Sequence, residues 1–118
     1  MAGDELFIGW GPVVRGREQT ALKVFQETIE FHGALQQDGK IDSFDAHLIA
    51  PHGDDLAGFI MLHGERSKLD DVRNSEDFER LIARAGTVVD QMGVLNAYSG
   101  EALGQAMARF QAASAELA

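Results

Sequence analysis

The apolar residues of this chain alternate between two spacings, one typical of strands and the other typical of helices. Segments in which every second residue is apolar, or which form short apolar runs between turn residues, indicate strands. Four segments have this character: about Leu6–Gly11, Ile41–Ala50, about Leu56–His63 and Thr87–Tyr98. A bend is expected at Gly93, and residues 87–91 fit equally well as the end of the preceding helix.

Helical spacing, with apolar residues three and four positions apart, occurs between and after these strands. It predicts helices at Arg17–Asp38, Lys68–Arg73, Glu76–Ala85 and about residues 101–117. Gly39 follows the first helix, at the position where a left-handed cap is favoured. Asn74 and Ser75 separate the second helix from the third and offer it an N-cap. The chain is therefore expected to contain one long helix, a kinked helical pair and a C-terminal helix.

The order of these elements, β-α-β-β-α-β-α, predicts a single α+β domain over residues 1–118. The first six match the ferredoxin-like βαββαβ arrangement, an antiparallel four-stranded sheet with two helices on one face. Both faces of this sheet are expected to carry apolar residues, among them Phe7, Phe59 and Ile60. The face without helices therefore needs a cover, and we expect a homodimer through this open sheet face. The C-terminal helix is the alternative cover.

The hairpin formed by the second and third strands carries most of the polar candidates. On the second strand, Ser43, Asp45 and His47 share one face, which is unusually polar. The third strand is apolar on both faces, as expected for an inner strand of a sheet. The pairing register decides whether His63 lies beside His47 or points towards the helices. The sequence leaves both registers open.

Composition limits the classes of partner. The chain has 118 residues, no cysteine and a net charge of −9, and its 10 basic residues are dispersed apart from Arg15 and Arg17. Nucleic acid is not an expected partner, because phosphate binding draws on clustered basic residues. No apolar run reaches 18 residues, and the acidic N-terminal segment lacks the pattern of a signal peptide. We therefore expect a cytoplasmic protein with no membrane contact.

In the order of its elements and in three local segments, the chain resembles the dimeric α/β-barrel superfamily. The segments are FIGWGPVVRGRE, the long hairpin, and KLDDVRNSEDFERLIARA, in which a short helix, a serine, an acidic pair and an aromatic residue precede the next helix. The superfamily includes cofactor-free monooxygenases of the antibiotic-biosynthesis type, EthD-like and YCII-like proteins, haem-degrading enzymes and many small bacterial proteins. The resemblance implies a dimer with a cleft between sheet and helices or inside the joined barrel. It carries over no catalytic residue.

Inside the joined barrel, such a cleft would be lined by strand residues on the face of the sheet without helices. The candidates for binding a small molecule are Trp10, Asp45, His47, His63 and Tyr98, with Asn96 as a further one on the fourth strand. Histidine transfers protons near neutral pH, and Asp45 could orient His47 because the two share a strand face. The alternative is that this polar face is a wet sheet edge or forms hydrogen bonds at a dimer interface. His32, on the apolar stripe of the first helix, is expected at the edge of the core.

Neither a metal nor a cofactor is expected. The side chains that crowd the hairpin and could ligate a metal are His47, His52, Asp54, Asp55 and His63. No H-x-x-x-H or H-x-H spacing occurs among them, and the loop residues suit a solvated turn. The Gly9-x-Gly11 pair lacks the third glycine of a dinucleotide-binding loop.

Two classes of function therefore remain open from the sequence. The first is a small-molecule site, either a binding pocket or the active site of a cofactor-free monooxygenase or isomerase. The second is a non-enzymatic dimeric module with a structural or interaction role. The sequence does not decide whether the protein is an enzyme.

Overall fold

A computed structural model describes residues 3–118, which form one antiparallel four-stranded sheet and four helices. The strands are β1 (Asp4–Trp10), β2 (Ser43–Leu48), β3 (Gly58–His63) and β4 (Gly93–Tyr98). The helices are α1 (Glu18–Gln37), α2 (Arg66–Arg73), α3 (Glu76–Ala85) and α4 (Gly100–Glu116). The strands lie in the order β2-β3-β1-β4 across the sheet. This is the predicted ferredoxin-like topology, with β3 as an inner strand.

The core fills the space between the sheet and helices α1 to α3. Alternate residues of the two inner strands, such as Leu6, Ile60 and Leu62, are completely buried and pack against Leu69 and Phe78 of the helices. Burial of a side chain of this size stabilises a fold by about 1.5–3 kcal/mol. The strand alternation visible in the sequence therefore places the main core on the helix-covered face.

The strand pairing decides which residues lie on the other face of the sheet. Ser43 lies opposite His63, Asp45 opposite Met61, and His47 opposite Phe59. Residues directly opposite one another in antiparallel strands share a face, so the register left open by the sequence places His63 beside Asp45. We call the side without helices the open face. It carries Glu5, Phe7, Asp45, His47, Phe59, Met61, His63 and Leu95.

The kinked helical pair forms as the local sequence predicts. Helix α3 has the predicted bounds, and the Ser75 hydroxyl accepts a hydrogen bond of 3.2 Å from the backbone N–H of Phe78. This bond satisfies one of the amide groups that a helix start leaves unpaired. Asn74 and Ser75 thus end α2 and begin α3 without an intervening loop.

The fourth strand is shorter than the predicted Thr87–Tyr98. Residues 87–92 form a turn and a single bridge between Val13 and Val89, and β4 starts at Gly93. Gln91 has a φ of 56°, in the left-handed region that non-glycine residues rarely adopt, and this interrupts the extended chain. Neither a continuous strand nor an extension of α3 is formed, although the bend predicted at Gly93 coincides with the strand start.

Helix α4 is largely uncovered. Ala102 is its only buried residue, and its apolar residues Leu103, Met107 and Phe110 have exposed fractions of 48, 56 and 75%. The radius of gyration is 16.0 Å, compared with about 13 Å for a compact domain of this length. The predicted apolar stripe of α4 is therefore present, but within one chain it covers neither face of the sheet.

Candidate functional site

A cavity of about 370 Å³ lies between the sheet and helices α1 and α3. Apolar side chains from β1, α1, α3 and residues 88–92 make up almost all of its wall. Small side chains, such as Ala21 on α1 and Ala85 on α3, leave space between the helices. The volume falls in the range of about 300–1,000 Å³ that is common for small-molecule sites.

Trp10, at the end of β1, forms one wall of this cavity. Its indole packs edge-on against Phe25 of α1, with 6.1 Å between ring centroids. Gly58 lies opposite Trp10 on β3, and a Cβ atom there would come within 2.6 Å of the indole. A glycine at this position is therefore needed for the indole to lie flat across the neighbouring strand.

The polar groups of the cavity wall are few. Glu18 is exposed and accepts a hydrogen bond of 3.3 Å from the backbone N–H of Gly16. Thr28 donates its hydroxyl proton to the carbonyl of Val24, at 2.7 Å. His32 is completely buried, and its Nδ1 lies 2.8 Å from the carbonyl oxygen of Thr28.

His32 was expected at the edge of the core, but it lies inside it. The rings of Phe31, Phe44 and Phe78 surround it, with centroids 5.3 to 6.3 Å from the imidazole. Burial lowers the pKa of His32 below its ordinary value, and the hydrogen bond to the Thr28 carbonyl opposes this shift only in part. The ring is therefore neutral at physiological pH.

The open face holds a different polar group, centred on His63. Its Nε2 lies 2.7 Å from a carboxylate oxygen of Asp45, and its Nδ1 lies 3.0 Å from a carboxylate oxygen of Glu5. Both carboxylates accept a hydrogen bond only when both ring nitrogens carry a proton. The predicted pairing of Asp45 with His47 is wrong, because the register brings the Asp45 carboxylate to His63 on the next strand.

His47 instead belongs to an aromatic row across the open face. Its imidazole stacks on Phe59 with 4.8 Å between centroids, and Phe59 stacks on Phe7 at 5.3 Å. Leu95 continues the row on β4, opposite Phe7, and is 60% exposed. The open face is thus apolar across its middle and carries the Glu5–His63–Asp45 group at one end.

Tyr98 and Asn96 do not lie on the open face, contrary to prediction. They pair with Asp4 and Leu6, whose side chains point to the helix-covered side. Asn96 accepts hydrogen bonds from Arg66 and Arg73 of α2, at 3.0 and 3.2 Å. The guanidinium groups of Arg66 and Arg109 each lie 5.7 Å from the centre of the Tyr98 ring. These contacts connect the edge strand β4 to α2 and α4.

The predicted candidates thus fall into three groups rather than one. Asp45, His47 and His63 lie on the open face, Trp10 lines the cavity on the opposite side of the sheet, and Tyr98 lies at the β4 edge. Sequence reasoning did not include His32 among the site residues. The signal for it was the Thr28–His32 spacing on an otherwise apolar helix stripe, where a polar ring needs a local hydrogen-bond partner.

Neither a metal-ligand cluster nor a membrane-spanning helix is found among residues 3–118. Among residues 3–118, no cluster of three or more histidine, cysteine, aspartate or glutamate side chains has the arrangement of a metal site. His52 bonds through Nε2 with the carbonyl of Leu56, at 2.8 Å, and so helps to close the hairpin loop. Within the same described part of the chain, no helix is long and apolar enough to cross a lipid bilayer.

Comparison with solved structures finds the same arrangement of elements. A dimeric protein of unknown function and ferredoxin-like fold from Bacteroides fragilis is 10% identical, with a TM-score of 0.61, over 82% of this chain and 97% of that protein. An EthD family protein from Bacillus halodurans is 6% identical, with a TM-score of 0.59, over 83 and 99%. An antibiotic biosynthesis monooxygenase is 15% identical, with a TM-score of 0.58, over 82 and 98%.

This chain has the ferredoxin-like fold. The predicted ferredoxin-like fold is thereby confirmed, because structures described as ferredoxin-like, as an EthD family protein and as an antibiotic biosynthesis monooxygenase share this arrangement. No protein-family model and no curated protein matches the sequence. Because the identities are far below 25%, these structures assign no activity, and function has to be argued from the residues of this chain.

Proposed function

We propose that the protein binds a small, mainly apolar molecule in the cavity between the sheet and helices α1 and α3. The observation that supports this is the cavity of about 370 Å³ with its almost wholly apolar wall. The wall includes Leu22 and Leu48, which are 66 and 70% exposed, so the cavity opens to solvent on one side, and covering its apolar surface with a ligand is favourable. A space of this size and character is therefore suited to an apolar ligand.

The cavity, rather than the open face, is the favoured position. Trp10 and Phe25 offer aromatic surfaces to a ligand, and the surrounding wall is almost wholly apolar. On the open face, Asp45 is 59% exposed, and the polar side chains are already paired with one another. A ligand there would have to compete with water and with these side-chain contacts.

Filling the cavity tests this proposal. Ala85→Phe places a phenyl group in the space from the side of α3, whereas Ala83→Phe adds the same group at an exposed position of the same helix. We expect a bicyclic aromatic compound such as 2-naphthol to raise the melting temperature of the wild type and of Ala83→Phe, because ligand binding stabilises the folded state. Ala85→Phe should show no rise.

Two results would contradict the proposal. One is the absence of any stabilisation of the wild type across a panel of bicyclic and tricyclic aromatic compounds. The other is an unchanged ligand-induced rise in Ala85→Phe, once circular dichroism has shown that this variant is folded.

We also infer a homodimer that pairs through the open face. Phe7, Phe59 and Met61 are only partly covered there, and Leu95 is largely exposed. Exposed apolar patches of several hundred Å² commonly mark interfaces, and about 800 Å² per partner is usual for a stable one. The protein of ferredoxin-like fold from Bacteroides fragilis is dimeric, which supports this inference.

Light scattering coupled to size exclusion tests the dimer. Leu95→Asp introduces a charge into the proposed interface at an exposed position, and Leu56→Asp introduces the same charge on the hairpin loop. We expect the wild type and Leu56→Asp to be dimers and Leu95→Asp to be monomeric. A monomeric wild type at micromolar concentration would remove the inference.

A cytoplasmic location also stays a prediction, supported by the absence of cysteine.

A further inference from the structure

The protonation pattern of His32 follows from its hydrogen bond and its burial. A carbonyl oxygen only accepts hydrogen bonds, so the contact of 2.8 Å with Thr28 requires the proton on Nδ1. Burial disfavours the charged ring. The neutral ring carries one proton only, and Nε2 is therefore a bare acceptor with its lone pair in the plane of the ring.

This acceptor has no protein partner. Among the described residues, Nε2 of His32 is the buried side-chain polar atom for which no hydrogen bond is found. The aromatic rings around the imidazole, those of Phe31, Phe44 and Phe78, carry no conventional hydrogen-bond donor. Buried polar atoms are nearly always paired in native proteins, and an unpaired one is unfavourable. A hydrogen-bond donor for this nitrogen therefore has to come from outside the chain.

The imidazole of His32 lies beside the cavity, close to the space that a ligand would occupy. His32 forms part of the wall of the cavity between α1, α3 and the sheet, although water does not reach it. The other polar groups of the wall differ from it, since Thr28 is already a donor to Val24 and Glu18 lies at an exposed position. A ligand in the cavity therefore gains the most binding free energy from a hydrogen-bond donor that pairs with Nε2 of His32. Changes of side-chain rotamer are common on binding.

We propose that Nε2 of His32 is the specificity-determining acceptor of the cavity, and that it selects apolar ligands carrying one hydrogen-bond donor, such as a ring hydroxyl. This inference rests on the proposed function, because it names the ligand class of the same cavity. Compounds with a carbonyl or ether at the same position present an acceptor to an acceptor and leave Nε2 unpaired. We expect these compounds to bind more weakly, because they cannot form that hydrogen bond.

A matched pair of ligands separates this inference from the proposed function. 2-Naphthol and 2-methoxynaphthalene share the same ring system, but only the naphthol donates a hydrogen bond. In isothermal titration calorimetry we expect the wild type to bind 2-naphthol about tenfold more tightly, the effect of one hydrogen bond to a buried group. In His32→Phe the two compounds should bind with similar affinity.

Each outcome has a defined meaning. Equal affinity of the two compounds for the wild type overturns the role of His32 and leaves the cavity as a binding site. A preference for the naphthol that persists in His32→Phe also overturns it, because another group would then accept the bond. Binding of neither compound, nor of any other aromatic ligand, removes the proposed function and this inference with it.

Nuclear magnetic resonance of the wild type gives a test that does not depend on the variant folding. Two-bond ¹H–¹⁵N correlation spectra of the imidazole distinguish a protonated nitrogen from a bare one. We expect Nδ1 of His32 to be protonated and Nε2 to be bare, and we expect 2-naphthol to shift the Nε2 resonance more than 2-methoxynaphthalene does. A proton found on Nε2 in the free protein would overturn the inference.

Discussion

Replacing His32 by phenylalanine should stabilise the protein, and more so at acidic pH. The substitution removes an unpaired buried acceptor, which costs about 1–3 kcal/mol, and loses the hydrogen bond from Nδ1 to Thr28, which contributes about 1 kcal/mol. The larger phenyl ring borders a cavity, so it has room to pack. At pH 8 we therefore expect the unfolding free energy of His32→Phe to be about 1 kcal/mol higher.

The pH dependence follows from the lowered pKa. In the folded protein His32 stays neutral, whereas in the unfolded chain it is protonated below its ordinary pKa. The unfolded state then binds the extra proton, and wild-type stability falls as the pH drops between the two pKa values, by up to about 1.4 kcal/mol per pH unit. His32→Phe lacks this loss. Its advantage over the wild type should grow between pH 8 and pH 5.5 by up to about that amount.

Urea denaturation monitored by Trp10 fluorescence and far-ultraviolet circular dichroism provides the assay, at one protein concentration and at both pH values. His52→Ala, at an exposed loop position, is the comparison variant, because it removes a histidine that lies outside the core. An advantage of His32→Phe that is the same at pH 8 and pH 5.5 would refute the conclusion that the fold holds this imidazole neutral.

Three further substitutions test the packing and capping described above, each by urea denaturation. Ser75→Ala removes the cap of α3 and should lower the unfolding free energy by about 1 kcal/mol, whereas Ser67→Ala, at an exposed position without a cap bond, should change it little. Phe78→Ala, at a position only 2% exposed, should cost about 3–5 kcal/mol, and a cost below 1 kcal/mol would contradict its place in the core. Gly58→Ala brings a methyl group against the indole of Trp10. It should lower the unfolding free energy by about 1–3 kcal/mol and alter the fluorescence emission. An unchanged emission spectrum would contradict the close contact.

The features that the sequence predicted well are those governed by neighbours along the chain. Helix α3 has its predicted bounds because Ser75 caps it locally and the apolar spacing continues without a break. The strands β1 and β3 were predicted because each is a short apolar segment bounded by turn residues. The element order then restricts the topology to a few arrangements, of which the ferredoxin-like one is observed.

The site depends instead on contacts between distant parts of the chain. Whether Asp45 meets His47 or His63 depends on the register of β2 against β3, which a shift of one residue would reverse. Trp10 and Tyr98 were placed on the wrong face for the same reason, since only pairing with a neighbouring strand fixes the side to which a residue points.

By itself, the sequence determined the secondary elements, the fold class and the existence of apolar surface on both sides of the sheet. The tertiary structure alone decided that a cavity remains between α1 and α3, and that His32 lies in its wall with one nitrogen unpaired. The physical reason is that a helix stripe predicts which side chains turn inward, but not how completely their volumes and hydrogen bonds are matched by the elements packed against them.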